Sequence, residues 1–435
     1  MIRYKGTALF MVIVISLIIG IICSSLILSS YFFRLQFQKQ ARWTRLERNL
    51  FSGVNMILAS SRNALLADSS FNLYSISNSP DPGIIQTHFN DSLTIRSIPW
   101  GVFKVGTVRS FVSHDTLFRA FTYGYVLDTL HRAAFYLADE DRPVSVSGYT
   151  QIKGNAYLPK AGIVESFVGN KKYSGPKSMV LGSKFTSGRK LPHLDSVSLI
   201  SLVSQIKSLK PTDTSFSGLD SLTVSFFRPP RIIRISKKAN KLSNLYLSGN
   251  IMLVSDSLLR IDSTVHLNNV LVFAKSIFIQ KGFWGRAQFF AQDSIIIGKK
   301  VSLNYPSCLG VISLNSKLGL PPRIAFDNND YLEGTAFIYQ KDKKGSQAFL
   351  DFGKNFFVHG FLYVPGMARF RDSSVINGSL YANRLMFLDM GVNYENYLID
   401  SKLDYSALSP YFINGSIFPW ASKRKKKVLE WIESR

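Results

Sequence analysis

Six histidines, two cysteines and a scatter of carboxylates are the residues of this 435-residue chain whose types suit catalysis or metal binding. The histidines, His88, His114, His131, His193, His266 and His359, stand far apart, so no HxxxH or HExxH zinc arrangement exists. There is no GxSxG elbow, no GxxxxGK[ST] loop and no GxGxxG fingerprint. Asp139, Glu140 and Asp141 precede Arg142 and Pro143 and read as a turn. Asp256, Asp262 and Asp293 lie among repeated segments, with Asp256 and Asp293 at equivalent positions. Glycoside hydrolysis needs two carboxyls roughly 5–9.5 Å apart. Neighbouring coils of a β-stack lie about 4.7–4.9 Å apart, so two coils separate this pair by about 9–10 Å. Lys275 takes the intervening position, where it can pair with both and form a structural charge ladder. Lys423, Arg424, Lys425, Lys426 and Lys427 run consecutively near the C-terminus, followed by the apolar Val428, Leu429, Trp431 and Ile432. Such a run suits anionic lipid, nucleic acid or an acidic partner. Its structural reading is a short terminal helix that caps the end of a repeat stack. No catalytic, cofactor-binding or metal-binding residue is assigned, and the chain reads as a non-enzyme.

The elements that must carry these residues are constrained by composition. Hydrophobic residues make up 46% of the chain, which excludes a disordered protein. Aromatics, with 33 Phe and 19 Tyr, favour β-structure. The excess of 52 Lys+Arg over 28 Asp+Glu gives a formal charge of +24, a field that attracts polyanions and anionic lipid heads. No nucleic-acid motif accompanies it, so nucleic acid is a weakly supported partner. Cys23 lies inside an apolar segment, away from Cys308, which excludes a disulfide framework.

Residues 6–33 contain no charge. About 20 apolar residues span a bilayer as a helix, and this run exceeds a secretory h-region of about 7–15 residues. Beyond it, Leu46, Leu50, Val54, Ile57, Leu58 and Leu65 recur at helical spacing. One long helix is predicted, transmembrane over 7–33 and amphipathic over 34–77. Arg34, Lys39, Arg42, Arg45 and Arg48 outweigh Arg3 and Lys5, so the positive-inside rule alone favours a cytoplasmic C-terminal side. Long domains translocate regardless of that rule.

The opening MIRYKG-TALFMVIVISLI resembles the leader of type IV pilin-like proteins. A short basic peptide ends in Lys5 and Gly6, followed by Thr7 and the apolar helix. The resemblance implies cleavage between Gly6 and Thr7, leaving 1–6 as a leader. It also implies a helix laid on an antiparallel sheet. The family's acidic residue, fifth after the cut, falls on the apolar Met11, a departure shared with minor pseudopilins of the PilX-like kind. Residues 377–404, NGSLYANRLMFLDMGVNYENYLIDSKLD, are similar to the final coil of PilX-like minor pilins that carry a β-solenoid.

A loop signal at 78–83 closes the helical region. Alternating apolar and polar residues over 93–137 predict four or five antiparallel strands, within a module at 84–150. The strongest internal signal is an apolar–x–Gly–x–apolar–aromatic pattern carried by Gly154, Gly249, Gly334, Gly360, Gly378 and Gly415. Val358 and Ile376 are 18 residues apart, and Ile376 and Ile413 are 37 apart. A period near 18–19 with glycine turns predicts stacked coils sharing one core. Glycine suits a bend where a side chain would clash or φ is positive.

The fold class expected is thus α+β: a long N-terminal transmembrane helix, a small antiparallel sheet and a C-terminal right-handed parallel β-helix. The β-helix is placed at 242–417, with the coil at Ile152 as its possible start, residues 151–241 as an early coil plus insertion, and 418–435 as a basic cap. An antiparallel sandwich is the competing architecture. The leading functional reading is a single-pass inner-membrane protein with an exported ectodomain, a minor component of a pilus or secretion-type assembly. The alternatives are an anchored polysaccharide-active β-helix and a bactofilin-like cytoplasmic scaffold.

Overall fold

The computed structural model describes residues 7–60, 71–72, 84–88, 91–112, 114–127, 132–208, 220–238, 240–314, 321–341, 347–389, 391–418 and 421–434. Gly6, the loop signal at 78–83 and His131 lie outside these residues.

Helix α1, Thr7–Ala59, has 53 residues and is about 80 Å long at 1.5 Å per residue. It ends short of the 77 expected, and Phe71–Asn72 is already a strand. Its apolar start is exposed, whereas Leu46, Leu50, Val54 and Ile57 are buried. That stripe packs on Leu93, Ile95, Val108, Val112, Phe121 and Tyr123 of an antiparallel sheet.

The sheet is built from Asp91–Trp100, Phe103–Val112 and Asp115–Leu127, joined as hairpins, with Ile84–His88 and Phe71–Asn72 both pairing Asp91–Trp100. Its last strand is Ala421–Ser434, antiparallel to Asp115–Leu127. The basic tail is therefore a strand rather than the terminal helix expected, and it completes the antiparallel sheet rather than capping the stack. Alternation gives the sheet two apolar faces. One holds α1, and the other, through Trp100, Phe103, Val105 and Ala120, packs on a second, larger sheet.

That larger sheet is parallel, apart from a short hairpin at Val392–Glu395. Leu245–Ile261, Val265–Ile279 and Trp284–Ile297 stack in register, each bending where the register shifts. Inward residues such as Leu247, Leu253, Leu259 and Ile277 are fully buried, because every second side chain points into a shared core.

The expected right-handed β-helix over 242–417 is not what forms. Residues 302–325 and 331–351 each supply two strands instead of one bent strand: Ser302–Ser313 with Arg323–Ala325, and Tyr331–Gln340 with Phe349–Asp351. Trp284–Ile297 pairs both members of the first set, and Phe356–Phe370 pairs both members of the second. The pairings close into a parallel barrel of six strands. The local period specifies which strands are neighbours. It does not specify handedness, splitting or closure.

The order of the layers departs from expectation as well. Ser374–Asp389 pairs onward with Ala133–Leu137 and with Ser401–Asp404. These pair with Gln151–Lys153 and Asn155–Leu158, which pair with Val180–Leu181 and Lys184–Thr186. The segment at Ile152 thus continues the stack beyond its late coils instead of starting it. Ala133–Leu137, read as antiparallel, belongs to this parallel sheet. At the opposite end, Leu245–Ile261 pairs Ser221–Val224, Arg231–Ile235 and Lys241–Leu242. The chain returns between the two ends along the outside, through helix α2, Ser196–Ser208, whose Leu199 and Leu202 are buried against the stack.

Gly334, Gly360 and Gly378 align across three layers. Gly360 has φ +151°, and a Cβ there would stand 1.8 Å from the Gly334 carbonyl oxygen. Gly360→Ala is expected to cost about 3 kcal/mol or more. At Gly282 (φ +78°) no atom lies within 4 Å of a built Cβ, so only the backbone strain of about 1–2 kcal/mol applies. Denaturant titration of the full chain in detergent compares the two variants. Equal losses would refute the carbonyl clash.

Candidate functional site

Helix and antiparallel sheet are fastened together along the last turns of α1. Arg45 and Asn49 of the helix reach the buried carboxylate of Asp91 at 2.6 and 2.9 Å, and Arg42 reaches Asp115 at 2.8 Å. The last helical carbonyls have no intrahelical partner and carry the negative end of the helix dipole. A residue of the basic tail meets them. Lys426 Nζ donates to the Ile57 carbonyl at 3.2 Å, the Ser60 carbonyl at 2.7 Å and Ser60 Oγ at 2.9 Å. It also lies 5.8 Å from the Tyr123 ring centroid, in cation–π range.

Strand alternation accounts for this selection within the cationic run. Lys425 and Lys427 are exposed on one face, and Lys426 is buried on the other. Lys423 and Arg424 lie in the same strand, their side chains outside the described residues. Burial, reinforced by the Lys104 ammonium, pushes the Lys426 amine down to about 8.

Further along the same strand, Glu430 accepts a bridge from Arg286 at 2.7 Å. Glu433 accepts from Ser225 Oγ and the Phe226 N–H, both at 2.6 Å. Trp431 packs on Phe121 with centroids 5.4 Å apart. A second fastening joins the hairpin turn to the stack: Gln288 accepts from the Val102 N–H at 2.8 Å and donates to the Trp100 carbonyl at 3.0 Å. Gly101, φ +62°, lies so close that a Cβ would sit 2.1 Å from Gln288 Oε1.

Asp256 and Asp293 do line one cavity, of about 400 Å3, together with Arg234, Phe273 and Phe290. Their chemistry is that of ion pairs. Asp293 is 4.0 Å from Lys275, and Asp256 takes Arg234 at 3.3 Å rather than sharing Lys275. The two side chains are 49% and 63% exposed, so neither is shielded from water as an acid catalyst needs to be. Asp262 pairs Lys241 at 2.8 Å, and that contact together with the Thr264 N–H lowers its pKa. Burial pushes Asp330 up to about 7, but its oxygens are taken by the Val301 and Asp327 N–H groups in a turn.

Gly154 and Gly249 occupy positive-φ positions in the stack like Gly334, Gly360 and Gly378, whereas Gly415 packs against Val102 outside it. Thr7 begins α1. His114 and His266 are exposed, and His193 lines a separate cavity beside α2. No group of three His, Cys, Asp or Glu residues is placed to hold a metal among the described residues. Cys23 and Cys308 are both free, and burial pushes the Cys308 thiol up. Sequence reasoning named Lys426 only as one of five tail cations and missed Gln288. Lys426 carries no mark distinguishing it from its four cationic neighbours, and Gln288 looks like any polar residue between apolar strands.

Compared with known protein families, curated proteins and solved structures, the chain matches none.

Lys426→Met is expected to cost about 1–2 kcal/mol at pH 7, against less than about 0.5 kcal/mol for Lys427→Met. The folded pKa lies below the ordinary 10.5, so between about pH 8 and 10.5 the unfolded chain holds a proton that the folded chain releases. Stability contributed by this group therefore rises with pH across that window, and K426M lacks the rise. Denaturation curves at pH 7, 8.5 and 10 test both statements. Asp256→Asn and Asp293→Asn are each expected to change stability by less than about 1 kcal/mol, as surface ion pairs do. A larger loss in the same assay would mean that these pairs hold the stack together.

Proposed function

We propose that the chain is a single-pass, membrane-anchored structural protein of pilin-like type, a minor component of a pilus or secretion-type assembly, with an exported ectodomain. The observation that carries this reading is α1. Its apolar start has a mean hydropathy of 2.9 over the most apolar window and is unburied by the rest of the chain. The same unbroken helix then presents Leu46, Leu50, Val54 and Ile57 to an antiparallel sheet. A helix half committed to lipid and half to a sheet is an anchor rigidly coupled to its ectodomain.

Other features fit a mechanical role. Lys426, Gln288, Glu430 and Glu433 tie anchor, sheet and stack together, so a force on the helix is passed to the stack. The ion-paired Asp256 and Asp293 support a scaffold rather than a polysaccharide-cleaving site. Inner-membrane placement and cleavage after Gly6 belong to the same proposal.

N-terminal sequencing of the protein extracted from membranes is expected to read from Thr7, and a C-terminal reporter is expected to be active only outside the cytoplasm. An intact Met1 would overturn the pilin-like assignment. A cytoplasmic reporter would overturn export and support the cytoskeletal anchor, which the cations at Arg34 and Lys39 favour.

A further inference from the structure

The wall of the stack beside the covered face carries an arrangement that anchoring does not use. Leu245 and Leu247 point into the core, so Tyr246 between them points out. Tyr246 pairs His266, and the 18-residue offset of Asn268 and Arg286 sets Trp284 on the next layer. Trp284 pairs Ser302, Ser302 pairs Tyr331, and Tyr331 pairs Phe357. These residues form one outward column running along the stack axis. Tyr246 is 44% exposed and Trp284 59% exposed. The Tyr331 and Phe357 rings stack at 5.3 Å with planes 4° apart.

Two features of this column point to its ligand. The first is spacing. Tyr246, Trp284 and Tyr331 are each separated by two layers, about 9.6 Å at the usual strand spacing. A ribbon-like glycan presents the same ring face at every second sugar, so aromatic planes recurring at two layers meet equivalent sugar faces. The second is what lies alongside. Two residues further along each strand runs a parallel column that includes Glu333 and His359, groups that accept from and donate to hydroxyls, and Asn268, whose side chain is held by Arg286 and Ser248. This strip carries little net charge although the chain as a whole is at +24. Arg286 is neutralised by Glu430, and Asp404 by Lys153 and Lys402. A polyanion has stronger attractors elsewhere on the molecule, and an apolar protein segment would leave Glu333 and His359 without hydrogen-bonding partners. An uncharged sugar chain satisfies both columns.

We propose that this face binds an extended, uncharged polysaccharide laid along the stack axis, with Tyr246, Trp284 and Tyr331 as its platforms. Binding here is non-catalytic, and the proposal stands whether or not the pilus reading holds.

The test uses the full chain in a sugar-free zwitterionic detergent, mixed with powdered cellulose or chitin, and with cross-linked dextran as a flexible-chain control. Retention on cellulose or chitin is expected to exceed that on dextran and to persist in about 0.5 M NaCl, where surface charge contacts are screened. Trp284→Ala and Tyr331→Ala are each expected to weaken retention about tenfold, with the melting temperature unchanged because both rings lie on the outer face. Tyr246→Ala, at the far end of the column, provides an independent variant if either of the others misfolds. Absence of retention on both extended glycans would overturn the proposal, as would loss of binding in salt or wild-type retention by the aromatic variants.

Discussion

Strands that pile up in register place each layer's backbone about 4.8 Å from the next, and most of the molecule follows from that constraint. Where the chain bends, the carbonyl of one layer occupies the space of the next layer's Cβ. Gly334, Gly360 and Gly378 answer this directly, each bending over a carbonyl supplied by the layer before it. The same register lines up side chains of one kind. On the covered wall, Phe337, Tyr363, Tyr381, Tyr136 and Tyr157 follow one another across five layers. Tyr381 and Tyr136 stack at 5.5 Å, and Tyr136 and Tyr157 at 5.2 Å. Residues remote in sequence thus form a continuous ladder, and the outer aromatic column with Trp284 is its counterpart on the open wall.

What was legible in the sequence was whatever is local. The uncharged run ahead of Arg34 and the Leu46–Leu50–Val54–Ile57 stripe are patterns within one element, and both halves of α1 were readable from them. The 18-residue offset between Gly360 and Gly378 was readable for the same reason, since consecutive coils repeat it. Between Gly334 and Gly360 the offset grows to 26, because the coil at 331–351 is split into two strands. Across 302–351 the period does not describe the architecture, and the closed six-strand barrel could not be read from it. The tail failed for a different reason. Helix and strand both explain an apolar cluster after a cationic run. The choice was made by an open edge at Asp115–Leu127, which no local pattern announces.

The Asp256 and Asp293 pair was half legible. Equivalent spacing put them on one wall, as their shared cavity shows. The partner of Asp256 depended on Arg234, a residue of the segment set aside as an insertion. That segment supplies the first layer of the late stack and, through α2, the chain's return path.

The return path gives the molecule its closure. Because Ala133–Leu137 follows Ser374–Asp389 in space, the earliest parallel strands obtain a partner on one side only when the last coil arrives. Ser379 Oγ then donates to the Ala133 carbonyl, and Leu380 pairs Phe135. Such pairings, about 245 residues apart in sequence, carry a larger loop-closure cost than those between consecutive coils. The antiparallel layer depends on the same event. Its strands lead directly into Ala133–Leu137, and its final strand leaves the stack just beyond Ser401–Asp404, which pairs the same late coil. Both connections between the layers therefore spring from this joint. When it closes, the tail is delivered to the sheet edge, and Lys426 comes to the end of α1.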